Sequence, residues 1–506
     1  MSNKVVIEPD SNDREMTANP AGAPAWWSSL DRDWLRDLAC CLLLVLLVLA
    51  FFWRILTPDL SDRRSFPPGD FIVTFYAMER VKAEVLLQGE RPLWKPYANS
   101  GHPLLADPQT ALYYPPSLLT VFLSAREGLS VFVLQLEAVF HFCLAALFTF
   151  AFARRVLGHR GGALMAAIGF TFGGYLTGYP PLQLAILRTV VWLPLILLGL
   201  EVGASYLVSR NRRAWAAFAA AGLVLGLSVS AGHAQSAMYV LYASLAYLLG
   251  RLWRGRSWRQ ILAAAGLFVA VGVGVSAAQW LPSLEYMRQS TRSGMSYAQA
   301  SSGFELIDAL QLVLPARSPL YAGALTLLLA LSAPILVRAR MVRFWVGLGL
   351  VALLLSFGGN LFLYPTFNLL VPGFSLFRSQ ERAVFILAFA LAMLAGYSFA
   401  HLAKRPAPAW LRRLAAYATV GSMGLVAIGY FGWLVGGGQG PSAFYWFLQQ
   451  SVYLTIFLGL GALLLKWQAQ PGRQRAAMAV VLALVVLDLF TVNATRNLDR
   501  RLPEAH

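Results

Sequence analysis

Charge is scarce in this chain. Only 13% of its 506 residues are Asp, Glu, Lys or Arg, while 58% are hydrophobic; a soluble protein carries roughly 25% charged residues. That balance excludes an ordinary water-soluble domain. Cysteine is scarcer still. Cys40, Cys41 and Cys143 all lie in apolar runs, so neither a disulfide framework nor a zinc site is supported, and small packing residues fit better. There is no GxxxxGK[ST] loop, no HExxH, no paired CxxC and no GxSxG elbow. Nucleotide-driven pumping, zinc proteolysis and elbow-type serine hydrolysis therefore have no motif. Acids are few beside bases, and the net charge is +17. In a soluble protein that would suggest nucleic acid. Here the bases fall between apolar runs, the pattern of membrane topology, so no nucleic-acid partner is expected.

What the chain has is long apolar runs, at about 37–56, 129–152, 162–179, 182–208, 214–232, 234–250, 260–281, 318–337, 342–357, 381–402, 410–435, 443–466 and 475–493. A run of about 20 apolar residues crosses a bilayer as a helix. The expectation is an all-α polytopic membrane protein of about thirteen spans. Its parts are a polar tail (1–36), a first transmembrane helix (37–56), a long loop (57–128), a helix bundle (129–493) and a short tail (494–506). No cleavable leader is visible before the first run, which should stay as an anchor.

Arginines and lysines cluster in alternate connectors. Arg154, Arg155 and Arg160 follow the second run, Arg210, Arg212 and Arg213 the fourth, and Arg251, Arg254, Arg256 and Arg259 the sixth. The pattern continues with Arg338, Arg340 and Arg343, then Lys404, Arg405, Arg412 and Arg413, then Lys466, Arg473 and Arg475. The connectors 179–181, 232–233 and 436–440 carry none. The basic side is therefore expected to be cytoplasmic, with the N-terminus inside and the long loop outside a bacterial inner membrane. Connectors 282–317 and 358–380 and the tail after Asn493 share the loop's side.

Within the loop, Phe71, Phe75, Met78, Val81, Val85 and Leu86 recur at steps of three and four. This predicts an amphipathic helix over 71–88, ended by Gly89. Pro92, Pro96, Pro103, Pro108, Pro115 and Pro116 then predict an extended arm, with Trp94, Tyr97, Tyr113 and Tyr114 seated at the interface.

Chemistry must come from acids, bases and amides on the outward connectors. Asp70 heads the predicted helix; it is either an N-cap or a carboxylate held to activate a hydroxyl or to bind a metal ion. Asp107, in Ala-Asp-Pro-Gln, is a turn former or a second acid. Arg188 lies inside a span, where a charge either snorkels or binds an anion such as a lipid phosphate. Glu137 and His141 share a helix face as a structural pair or a proton relay. Asp488, deep in the last run, needs a partner. His233 and Gln235 sit in a very short connector, and Glu285, Arg288, Arg378, Glu381 and Arg382 lie at outer ends of spans. Several arginines on the outer face, against the topological bias, argue for an anionic ligand there.

Pro92-Leu93-Trp94-Lys95-Pro96-Tyr97, Gly101-His102-Pro103-Leu104 and Tyr114-Pro115-Pro116 together resemble the signature loop of the YfhO-like bacterial membrane proteins. Phe170 to Gly174, Trp192 to Leu195, Gly232 to Gln235, Gln279 to Glu285 and Pro372 to Phe374, leading to Arg378 and Arg382, follow in the same order. Lys95 departs from the Asn expected there. That family is similar to the GT-C glycosyltransferases, whose first outer loop bears an essential acid and whose donors are polyprenyl-phosphate-linked sugars. The resemblance implies a GT-C-like bundle with catalytic acids at Asp70 and Asp107. It implies donor-phosphate ligands at Arg188, Arg288, Arg378 and Arg382, and substrate contacts from Trp94, Tyr97, His102, Gln109, Tyr114, His233, Gln235 and Glu285. A divalent cation, Mg or Mn, would be held by Asp70. The implied partners are a polyprenyl-phosphate-sugar donor and a cell-envelope glycan, lipid or glycoprotein acceptor. The rivals are a transporter or flippase of lipid-linked saccharides, with Glu137 and His141 in its ion path, and a non-catalytic envelope-assembly scaffold.

Overall fold

The structure, a computed structural model, describes residues 25–96, 100–290, 294–315, 318–438 and 442–500, and the side chains from residue 33 onward. It is an all-α bundle. Each of the thirteen apolar runs is helical, and among the described residues nine helices are long and apolar enough to span a bilayer. The other four runs fall short for local reasons. The run at 162–179 breaks at Phe172-Gly173 into Arg160–Thr171 and Gly174–Gly178. Ala324–Leu336 has 13 residues and Arg340–Ser356 has 17. Ala234–Leu252 has the length, but Gln235, Ser236, Ser244 and Arg251 dilute its hydropathy. The first span is carried by a helix that already begins at Ala25.

Helix starts are set by side chains that accept from free N–H groups. Ser130 accepts from Val133, His159 from Gly162, and Ser442 from Tyr445. Helices Arg160–Thr171 and Val384–Leu402 approach so closely that a Cβ on Gly162 would lie 2.7 Å from the Gly396 carbonyl oxygen. Small residues allow this backbone approach, which sustains packing where lipid offers no hydrophobic drive. Beside this crossing, Trp345 is fully buried against Phe152, Tyr247 and Phe389.

The two ends of the bundle differ. At one end Arg154 and Arg160 pair with Asp37, and Arg251 pairs with Glu201. At the other lie the long loop and residues 494–500. Ser65 and Asp499 exchange backbone hydrogen bonds, and the Asn497 amide donates to the Thr177 carbonyl. The tail after Asn493 thus joins the loop's end of the bundle, as the charge pattern predicts.

The loop is folded. Asp70–Tyr76 winds as a π-helix that runs into the α-helix Ala77–Leu87, and Gly89 stops it at φ +79°. Phe71 and Phe75 are buried, and the Tyr76 hydroxyl donates to the Leu129 carbonyl. A two-stranded antiparallel ribbon follows, pairing Trp94 with Pro103 and Lys95 with His102. The arm is not extended throughout. Pro115 and Pro116 open the helix Pro115–Leu123, because proline is tolerated in a first turn whose N–H groups have no partner anyway.

Candidate functional site

Four charged side chains meet where the loop helix touches the bundle. Glu79 and Lys82 come from Ala77–Leu87, Glu137 from Val131–Leu157 and Arg188 from Leu184–Val190. Arg188 donates from Nη1 to Glu79 Oε1 and from Nε to Glu137 Oε1, each at 2.7 Å. Lys82 Nζ lies 2.6 Å from Glu79 Oε2 and donates to the Thr110 carbonyl and to Ser117 Oγ. Ser117 in turn donates to Glu79. Two acids and two bases leave the cluster electrically neutral, and each is at least 95% buried. Burial opposes the charged ammonium and moves the Lys82 pKa down, with Glu79 pulling the other way.

This arrangement corrects the expectation for Arg188. Its guanidinium is fully buried, with Nη1 and Nε on two carboxylates and Nη2 without a partner among the described residues, so it acts here as their counter-ion. Tyr114 is corrected likewise. It has no exposed surface; its oxygen accepts from Trp192 Nε1 at 3.0 Å and lies 2.7 Å from His141 Nε2. His141 Nδ1 donates to the Glu137 carbonyl. Glu137 and His141 therefore do not pair through their side chains, and each is occupied by other protein groups. Asp488 finds its partners in the Tyr321 hydroxyl, at 2.5 Å, and the Ala324 N–H, at 2.8 Å.

The predicted acids are placed differently. Asp70 is the first residue of its helix; Gly69, at φ +148°, holds the cap position and makes no side-chain cap bond. The Asp70 carboxylate is exposed and accepts from the Gln183 amide at 2.5 Å. Asp107 caps the short turn Pro108–Thr110 by accepting from the Gln109 N–H. Its other oxygen lies 2.8 Å from His102 Nε2, with the two side chains 15% and 20% exposed. A carboxylate at that distance favours a proton on Nε2, so the Nδ1 lone pair points away from it. The Tyr286 hydroxyl stands 3.5 Å from Nδ1. Gln279 of the same helix, Ala277–Gln289, reaches the Leu105 carbonyl.

Gly232 packs on this turn. Its φ is +104°, and a Cβ there would sit 2.5 Å from the Pro108 carbonyl oxygen. The next residue, His233, is buried and accepts from the Ser236 N–H as a helix cap. Gln235 Oε1 accepts from Arg382 Nη1 at 2.8 Å, while Tyr239 donates to Gln380. Arg382 Nε is buried with no partner among the described residues. Trp94 lies against Gly101, whose φ is +115°. Arg288, Arg378 and Glu285 are exposed. Tyr97 lies outside the described residues.

The structure therefore unites Asp107, His102 and the backbone of Gln109, and links Gln235 to Arg382. Among the described residues no hydrogen bond or ion pair joins Asp70 to either group. The sequence reading missed Glu79, Lys82, Gln183 and Tyr286 as partners; Glu79 and Lys82, an opposite-charge pair three apart on a predicted helix, were the available signal. Among the described residues no three His, Cys, Asp or Glu side chains converge on a point that could hold a metal ion. Asp107 is engaged by His102 and the Gln109 N–H, and Asp70 by the Gln183 amide.

No family model matches the chain, and no curated protein matches it. Solved structures do. ArnT from Cupriavidus metallidurans, bound to undecaprenyl phosphate, is 13% identical with a TM-score of 0.46, over 94% of this chain and 77% of that one. The same protein in the apo state gives 13% and 0.44, over 92% and 76%. The YfhO-like assignment stays a resemblance carried by the motifs alone.

Proposed function

We infer that the chain is an integral-membrane glycosyltransferase. It moves a sugar from a polyprenyl-phosphate-linked donor to a hydroxyl of a cell-envelope glycan, lipid or glycoprotein on the outer face of the cytoplasmic membrane. The observation that carries this reading is the Asp107–His102 pair. It is a partly exposed acid–base couple, fixed by a backbone N–H and a ribbon, on the end of the bundle that also bears the exposed carboxylate of Asp70.

In this reading the acceptor hydroxyl gives its proton to His102 Nδ1, with Asp107 orienting the ring and stabilising the imidazolium. Asp70, the first-loop acid by resemblance, binds the acceptor or takes the proton in its place. The acceptor oxygen forms a bond to the anomeric carbon while the bond from that carbon to the phosphate oxygen breaks. Its electron pair leaves with the polyprenyl phosphate, and a single displacement inverts the anomeric centre. Arg382, with an unused buried Nε, and the exposed Arg378 and Arg288 are suited to neutralise the charge of the departing phosphate.

The test is sugar transfer by purified protein supplied with polyprenyl-phosphate-linked sugars and envelope acceptors, comparing wild type with Asp70→Asn and Asp107→Asn. Loss of transfer in either variant, with folding and donor binding retained, supports the reading. Full transfer in both would remove it.

A further inference from the structure

A second polar feature lies at the opposite, basic end. Between Glu381 and Asp488 the chain has no acidic residue and eight Lys or Arg. Three of these, Arg412, Arg413 and Lys466, come together where helix Ala409–Val435 packs against Ala443–Gln468, lining a groove of about 600 Å³. Among the described residues no acid lines the groove. The acids known at this end are already committed: Asp37 to Arg154 and Arg160, Glu201 to Arg251. Arg412 Nε is buried with no partner among the described residues.

The frame around these cations is fixed. The Gln468 amide accepts from the Ala407 N–H and donates to the Arg405 carbonyl, tying the end of one helix to the start of the other. Beyond the cations the groove turns apolar. Ala416, Gly459 and Ala462 leave it open, and Leu463, 65% exposed, forms its lip. From Arg412 to Thr419 it runs about 10 Å along the helix axis, at 1.5 Å per residue. Tyr417 and Val420 are exposed on the same helix, so this flank meets lipid in a membrane.

We propose that this groove binds an anionic phospholipid of the leaflet at the basic end, its phosphate held by Arg412, Arg413 and Lys466 and one acyl chain laid along Ala416, Gly459 and Ala462. Three cations with no acid beside them among the described residues select a negative head group. The apolar floor selects a molecule with an alkyl chain rather than a free anion. Basic pockets between transmembrane helices on the cytoplasmic side take phosphate-bearing lipids by the same physics. The site is independent of the transfer reaction proposed above.

Titration of the detergent-purified full chain with phosphatidylglycerol and with phosphatidylcholine tests this. Phosphatidylglycerol is expected to bind at least tenfold tighter. Each cation near the surface contributes about fivefold, so Arg412→Gln with Arg413→Gln should weaken phosphatidylglycerol about 25-fold, and Lys466→Gln alone about fivefold. Ala462→Phe fills the groove at unchanged charge and should also abolish the preference. Melting temperatures confirm that each variant is folded, and the exposed Lys466→Gln remains informative should the double variant fail. Equal affinity for the two lipids, or phosphatidylglycerol binding unaffected by Lys466→Gln or by Ala462→Phe, would overturn the proposal. So would displacement of the lipid by millimolar inorganic phosphate.

Discussion

Arg188 and Glu79 are 109 residues apart in sequence and 2.7 Å apart in the structure, both at least 97% buried by side chain. Their contact fastens the loop helix to the bundle. Removing one member of a buried ion pair strands the other, at a cost of about 3–5 kcal/mol. Arg188→Gln is therefore expected to lower the melting temperature sharply. Pairing Arg188→Met with Glu137→Gln should recover part of the loss by restoring neutrality. A variant with unchanged melting that loses only donor binding would return Arg188 to the phosphate site.

Catalysis should depend on the Asp107–His102 couple. A positioned general base contributes about 10²–10⁴-fold, and kcat for His102→Ala should fall by that range with little change in donor KM. Asp107→Asn should lose part of this, because the amide can still accept from Gln109 but no longer stabilises the imidazolium. Steady-state kinetics of the two variants measures both; transfer at the wild-type rate in His102→Ala would exclude it as the base.

Gly232 offers a test that leaves the reacting groups untouched. A Cβ at 2.5 Å from the Pro108 carbonyl, at φ +104°, cannot be accommodated without displacing the turn that holds Asp107. Gly232→Ala should cut kcat at least tenfold while the membrane-embedded helices stay folded, as circular dichroism would show. Retained activity would mean that the turn's position does not matter.

Lys82 makes stability depend on pH. Burial lowers its pKa in the folded protein below the ordinary value near 10.5. Between the lowered folded value and the unfolded one, the unfolded chain holds more protons, so stability rises with pH there. The slope from this group is at most about 1.4 kcal/mol per pH unit. Lys82→Met should remove it, visible as a smaller gain in melting temperature from pH 8 to 10 than in wild type. Parallel melting curves for the two proteins would contradict this account of Lys82.

Asp488 caps the start of helix Ala324–Leu336 from another helix. Asp488→Ala leaves the Tyr321 hydroxyl without its acceptor and the Ala324 N–H with only the Tyr321 oxygen, at 3.2 Å, a loss of about 1–3 kcal/mol for the buried hydroxyl. Asp488→Asn keeps one acceptor oxygen and should lose less. Thermal unfolding of the two variants gives the order, and equal melting would argue against a capping role.

The apolar runs, the alternation of bases and the loop helix near 71–88 are local properties of the chain, and each was legible in sequence. A helix in lipid must satisfy its backbone internally, so length and composition suffice to place it. The Asp107 turn was also legible, because Asp-Pro is a local signal. Partners were not. The residues that engage Arg188, Asp488 and Asp70 lie between 51 and 167 positions away, in Glu137, Tyr321 and Gln183 among others. Nothing in a linear pattern says whether a charge inside a helix faces a ligand or a counter-ion. The sequence by itself determined that these charges must be compensated, since an unpaired charge in an apolar interior is too costly to keep. Only the tertiary structure decided that Arg188 is compensated by Glu79 and Glu137, because their contact is made by folding the loop helix onto the bundle.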